Sequence, residues 1–160
     1  MIKVLLLRNV SPTNKYGGIQ KHCQELYDLF KNHSILNVLP IENIPTRFLP
    51  IINKRIFFWK QLYSYVDSAR CDVVHIHGFA TLDVIQSMIV ARLQKKRIVY
   101  SPHYHPFRYL QHPLFGKIYF YCCLRFFLRY AYSIVTITNN DTAFFKRYHK
   151  HVYKIPHQYT

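Results

Sequence analysis

What most constrains this chain is an alternation. Six short apolar runs recur along it, at 2–7, 35–39, 72–77, 97–101, 133–138 and 152–155. Continuous apolar runs of this length read as strands buried on both faces. The stretches between them change period and place apolar residues three or four apart, as an amphipathic helix does. Ile19, Cys23, Leu26, Tyr27 and Phe30 mark the first such stretch, and Phe57, Phe58, Trp59, Leu62 and Val66 a second, expected as a helix over 54–69. Thr81 is placed to cap a third helix running to about 94, an aromatic helix is expected over 114–132, and Asn139 or Asn140 should cap a last one over 141–149. Residues 40–53, with Pro40, Pro45 and Pro50, read as a loop.

Strands alternating with helices make an α/β fold: a Rossmann-like parallel sheet of about six strands with helices on both faces. No repeat and no linker divides the chain, so residues 1–160 are expected to form a single domain. Half of the residues are apolar, which excludes a disordered chain. The cysteines Cys23, Cys71, Cys122 and Cys123 show no metal-type spacing, and reduced thiols fit a cytosolic setting. The opening run ends at Arg8, too short for a secretory signal, and no stretch is long and uncharged enough to span a bilayer. Lys and Arg total 22 against seven acids, a formal charge of +15. Such a chain seeks polyanions: nucleic acid, anionic lipid headgroups or phosphorylated substrates.

Ligands of doubly wound sheets bind at the carboxyl ends of the strands, so the polar residues just after each run carry the functional reading. Gly17 and Gly18 precede a helix start, where backbone can approach a phosphate, although a Gly-Gly pair also makes an ordinary turn. His75 and His77 lie two apart on one strand and share a face. His75 reads as a packed, hydrogen-bonded residue, while His77, followed by Gly78, has the better claim on the cleft. His103 and His105 follow the fourth run. Two His-x-His pairs offer four nitrogens to zinc, but no carboxylate lies near either pair, so no metal site is expected. A histidine at a phosphate-binding edge fits better, because its pKa lies near physiological pH. No serine sits in a nucleophile elbow, and acids are too few for an evident acid–base pair. No helix-turn-helix, RNP sequence or zinc finger supports a nucleic-acid partner.

Taken together, the Gly-Gly loop, "DVVHIHG" (72–78), "IVYSPHYHP" (98–106), "IVTITNNDTAFFKRY" (134–148) and "KIPHQ" (154–158) resemble the N-terminal domain of family 4 glycosyltransferases of the GT-B fold. The resemblance implies a transferase that uses a nucleotide-sugar as co-substrate, with no cofactor and no required protein-bound metal. It implies that Gly17 and Gly18 meet the donor phosphates and acceptor, that His103 is the catalytic cleft histidine touching the transferred sugar, and that His77, at the family position after the third strand, belongs to the donor phosphate and acceptor-binding set. Thr138 and Asp141 match a S-x-x-E pattern opening the next helix and join the donor phosphate or acceptor set. Pro156 is followed by His157 and Gln158 where the family reads P-N-G. The family's second, donor-binding domain is not among residues 1–160, which implies an acceptor-binding half, inactive without that domain: a fragment, a truncated gene product or one partner of a split enzyme whose donor-binding domain is separate.

The same resemblance gives the positive charge a use in polysaccharide biosynthesis at the cell envelope. Family members acting on glycan or lipid-linked acceptors dock on an anionic membrane surface, here from the cytoplasmic, inner face. Lys54, Arg55, Trp59 and Lys60 mix cations with interfacial aromatics. Lys117, Arg125 and Arg129 recur at multiples of four and form a basic stripe. The alternative is a non-catalytic basic module that binds an anionic membrane or nucleic acid.

Overall fold

Six strands run parallel in one sheet of order β2-β1-β5-β6-β7-β8, and β3 and β4 form a separate antiparallel pair. In chain order the elements are β1 (Ile2–Leu7), α1 (Gly18–Phe30), β2 (Leu36–Leu39), β3 (Thr46–Leu49), β4 (Lys54–Phe57), α2 (Trp59–Ser68), β5 (Val73–His77), α3 (Leu82–Leu93), β6 (Arg97–Ser101), α4 (Arg125–Leu128), β7 (Ser133–Thr136), α5 (Asn139–Lys146) and β8 (Val152–Lys154). The computed structural model describes residues 1–7, 18–33, 35–39, 44, 46–49, 54–78, 82–103, 118, 121 and 124–155.

The sheet begins in its interior. β1 pairs with β2 on one side and with β5 on the other, so the winding reverses between β1 and β5. That reversal opens a crevice at the carboxyl ends of the two strands. At the opposite end Asp72 ties the strands together: its carboxylate Oδ2 accepts from the Lys3 amide at 2.8 Å, and its carbonyl accepts from the Arg97 amide at 3.2 Å.

Strand alternation divides the side chains between two cores. Leu5, Leu7, Val74, Ile76, Ile98 and Tyr100 join Leu62 and Val66 of α2, Val84 and Met88 of α3, Leu128 of α4 and Phe145 of α5 in the large core. Leu6 points the other way and packs with Cys23 of α1 and Val38, against Leu26, Tyr27 and Phe30. Burying each large aliphatic side chain fully contributes about 1.5–3 kcal/mol, so the larger cluster dominates stability. Val74 and Ile76 serve that core, which leaves His75 and His77 on the face of α1. The helices therefore cover both faces, and the polar residues of β5 and β6 gather on the less apolar one.

Three expectations need correction. The helix expected over 54–69 starts only at Trp59; Lys54–Phe57 is a strand, paired antiparallel with Thr46–Leu49 inside the stretch read as a loop. A distant residue explains it. The Gln86 side-chain amide on α3 accepts from the Phe57 amide at 3.0 Å and donates to the Phe57 carbonyl at 3.1 Å, satisfying both backbone groups of a buried residue in extended form. Leu62 and Val66 then form the buried face of α2, whereas Phe58 and Trp59 are exposed. Secondly, the last helix begins at Asn139, and its cap is Thr138 rather than either asparagine. Thirdly, the strand at 133–138 ends at Thr136. Of the helix expected over 114–132, Ile118, Tyr121 and 124–132 are described; Arg125–Leu128 is helical, and the chain turns at Arg129 and Tyr130. Thr81 lies outside the described residues, and α3 begins at the next position.

Candidate functional site

The site is built where the winding reverses. β5 delivers His77 as its last residue, paired in register with Ser101 of β6. Gly78 follows with φ of 129°, a conformation that only glycine adopts at low cost, and its amide donates to the Ser101 carbonyl at 3.0 Å. The two strand ends are thereby held side by side. After β6 the chain passes buried Pro102 and reaches His103, whose φ is 45°. A side chain with a Cβ pays on the order of 1–2 kcal/mol for that left-handed backbone, although histidine visits it more often than most residues.

That conformation sets His103 Nε2 3.0 Å from Nδ1 of His77, within hydrogen-bond distance. The two rings stack with centroids 5.3 Å apart. His77 is buried at 1% exposure, and His103 is half-buried. A third imidazole, His22, comes from the second turn of α1 and meets both rings edge-on, at 5.8 Å from His77 and 5.4 Å from His103. One nitrogen from each of the three lies within 4.8 Å of the others. A bond between two imidazole nitrogens accommodates one proton, so His77 and His103 act as a unit in which one ring donates and the other accepts.

His75 lies behind this group. Its Nε2 is 2.8 Å from Ser101 Oγ, and its ring lies 4.0 Å from that of His77. Loss of hydration, followed by repulsion from His22, pushes its pKa down to about 3, so it is neutral at physiological pH. It supports His77 by packing, as a hydrogen-bonded residue of the sheet face.

Thr138 and Asp141 meet each other at the next strand end. Thr138 Oγ1 accepts from the Asp141 amide at 3.1 Å, which caps α5. Thr142 Oγ1 bonds Thr136 Oγ1 at 2.7 Å and donates to the Thr138 carbonyl at 2.8 Å, so the turn is closed by its own hydroxyls. Gly18 is the first residue of α1, while Gly17, His105, Lys117 and residues 156–160 lie outside the described residues.

The two basic surfaces differ from each other. Around the start of α2, Phe58, Trp59 and Tyr63 are 42%, 48% and 47% exposed beside exposed Lys60. On the other surface Arg125 and Arg129 are exposed, but Arg125 lies 5.5 Å from the Tyr148 ring centre and Arg129 4.4 Å from that of Phe126. Those cations are already engaged with aromatic faces, for about 0.5–1 kcal/mol each. Among the described residues, no helix is long and apolar enough to cross a membrane.

His22 is the residue that the sequence reading missed. Apolar periodicity placed Cys23 on the buried stripe and left its neighbour unassigned. The available clue was positional: a helix that follows the first strand of a parallel sheet starts at the carboxyl edge, so its early polar residues face the same crevice as the strand ends.

Comparison with known proteins agrees with this architecture. No curated protein matches the chain. The sequence profile of Glycosyltransferase Family 4 matches residues 21–157, a span that holds His22, His77 and His103 together with all of the sheet from β2 to β8. With most of its length inside that match, and with a doubly wound sheet carrying its polar residues at the carboxyl edge, the chain belongs to glycosyltransferase family 4.

Proposed function

We propose that residues 1–160 form the acceptor-facing wall of a transferase that moves a sugar from a nucleotide-sugar donor to a glycan or lipid-linked acceptor. The observation that carries the reading is the meeting of His22, His77 and His103, from three separate elements, at the carboxyl edge where the winding reverses. His103 is the group that acts on the donor. Its imidazole donates a hydrogen bond to a sugar hydroxyl or phosphate oxygen, and the bond strengthens as the leaving diphosphate gains charge. His77 holds His103 in orientation through the 3.0 Å contact. Gly17 and Gly18 bring backbone near the phosphates at the start of α1. Thr138 and Asp141 contribute indirectly, by fixing the start of α5. The other wall of the cleft is a donor-binding domain, on the same chain or a separate one, and the reaction needs both.

The surface around Trp59 and Lys60, together with Lys54 and Arg55, is the side that docks on anionic lipid at the cytoplasmic face of the membrane. Arg125 and Arg129, with Lys117 near them in sequence, add to the positive charge that draws the protein toward an anionic surface. The exposed aromatics Phe58, Trp59 and Tyr63 beside exposed Lys60 support this choice of face. Vesicle flotation should show binding that weakens as salt rises. Lys54→Glu, Arg55→Glu and Lys60→Glu together should weaken it further, by roughly 1 kcal/mol per cation at low salt. Unchanged flotation of that triple variant would move the docking face elsewhere.

Transfer of labelled sugar from a panel of nucleotide-sugars to a lipid extract tests the enzymatic reading, with a donor-binding domain supplied. Label in the acceptor fraction that depends on this chain is the expected result. Vesicle binding with no transfer from any donor would instead favour a non-catalytic basic module, a reading that the net charge of +15 supports by itself.

A further inference from the structure

We propose that His22, His77 and His103 bind a divalent transition metal of the zinc class, with a fourth position open to water or to an anionic oxygen. Three observations carry this. First, each residue offers one ring nitrogen, and these nitrogens lie within 4.8 Å of one another. A metal–nitrogen bond of about 2.0–2.1 Å and a tetrahedral angle set neighbouring donor nitrogens about 3.3 Å apart. The His77–His103 pair, at 3.0 Å, is already close to that spacing. The His22 nitrogen, within 4.8 Å of both, would have to move closer to complete the set.

Second, the three ligands come from three separate places in the fold: the second turn of α1, the last residue of β5 and the left-handed position after β6. A metal at this point would join elements separated by some eighty residues of chain. The left-handed backbone of His103 is what turns its imidazole toward His77, and backbone strain of this kind is retained where the surroundings hold it in place.

Third, the donor set has a chemical preference. Three imidazoles and no carboxylate suit zinc, cobalt or nickel, and suit magnesium or calcium poorly. With neutral ligands the bound ion keeps its whole charge, so the fourth position favours hydroxide, phosphate or carboxylate oxygen. His77 is buried while His22 and His103 are half-buried, which leaves one side of the group facing solvent.

This proposal does not rest on the sugar-transfer reading, but metal and sugar would compete for His103. A nitrogen of His103 that binds metal is lost as a hydrogen-bond donor to the sugar, so added zinc should inhibit transfer. Among the described residues the group differs from the two His-x-His pairs visible in the sequence: His75 turns to Ser101, and His22 supplies the third nitrogen.

The test is a titration of the 160-residue chain, stripped with chelator, with Co²⁺ alone. One equivalent should bind with the intense visible bands of four-coordinate cobalt, and Zn²⁺ should displace it. His22→Ala places a good helix former on a helix surface and should keep the fold, checked by circular dichroism. It should weaken Co²⁺ binding on the order of 100-fold or more, beyond the roughly 10–100-fold loss that follows removal of an outer partner of a metal ligand. His103→Ala should do the same, while His151→Ala, at an exposed position before β8, should leave binding unchanged. Absence of stoichiometric binding, six-coordinate spectra, or affinity indifferent to His22→Ala would overturn the proposal. None of these results would alter the transfer assay of metal-free protein, so the two readings fail separately.

Discussion

The turns after β6 and β7 end neighbouring parallel strands on the same edge of the sheet, and both looked like binding loops in the sequence. They solve different problems. After β6 the chain adopts a left-handed backbone at His103 and sets its imidazole against a buried imidazole from the adjacent strand. After β7 the chain keeps ordinary backbone angles, and Thr138 uses its hydroxyl to cap α5. One turn carries strain to bring polar side chains from separate elements together. The other satisfies its own helix end. A polar residue at a strand's carboxyl end is therefore a candidate only until its nearest partner is known: a partner on another element points to a site, and one three residues ahead points to a cap.

The sharpest way to break this comparison is to remove one side chain from each turn. In a transfer assay with a donor-binding domain present, His103→Ala should lower the rate by about 10²–10³, the usual cost of one donor aimed at developing charge. Thr138→Ala should leave the rate of folded protein within a few-fold of wild type. Equal losses in both would erase the distinction.

Stability should show the reverse order. Urea melts of Thr138→Ala should lose about 1 kcal/mol, within the usual 0.5–2 kcal/mol for a missing threonine cap, and Thr138→Ser should recover most of it. Unchanged stability in Thr138→Ala would remove the capping role and reopen a binding one.

A smaller effect isolates the backbone at His103. His103→Gly and His103→Ala both lose the imidazole, but only alanine keeps the Cβ that opposes a φ of 45°. The glycine variant should be more stable than the alanine variant by about 1 kcal/mol. If alanine proves equal or better, the turn is not held in the left-handed conformation, and position 103 stores no strain.

The sheet was legible because apolar runs recur where buried strands must lie, and the runs at 72–77 and 97–101 match β5 and β6 to within a residue. His77 and His103 were legible for the same reason, as polar residues at the ends of those runs. Two features were not. The strand Lys54–Phe57 is held by Gln86, 29 residues away from Phe57, and the run Phe57-Phe58-Trp59 at its end also fits the start of a helix. His22 escaped because helical periodicity records which face is apolar and is silent on what a polar neighbour will touch. Both misses involve a polar side chain whose partner is distant in sequence, a relation that local pattern does not encode.

If the ends of β5 and β6 meet the donor, as proposed, while the end of β7 only begins a helix, nucleotide-sugar should perturb the first and spare the second. Long-range ¹H–¹⁵N NMR of the imidazole nitrogens, recorded with a donor-binding domain present while nucleotide-sugars are titrated in, separates the two roles. The account predicts that shifts concentrate on His22, His77 and His103 while the amide of Asp141, bound to the Thr138 hydroxyl, stays in place. Movement of the Asp141 amide with silent imidazoles would contradict it.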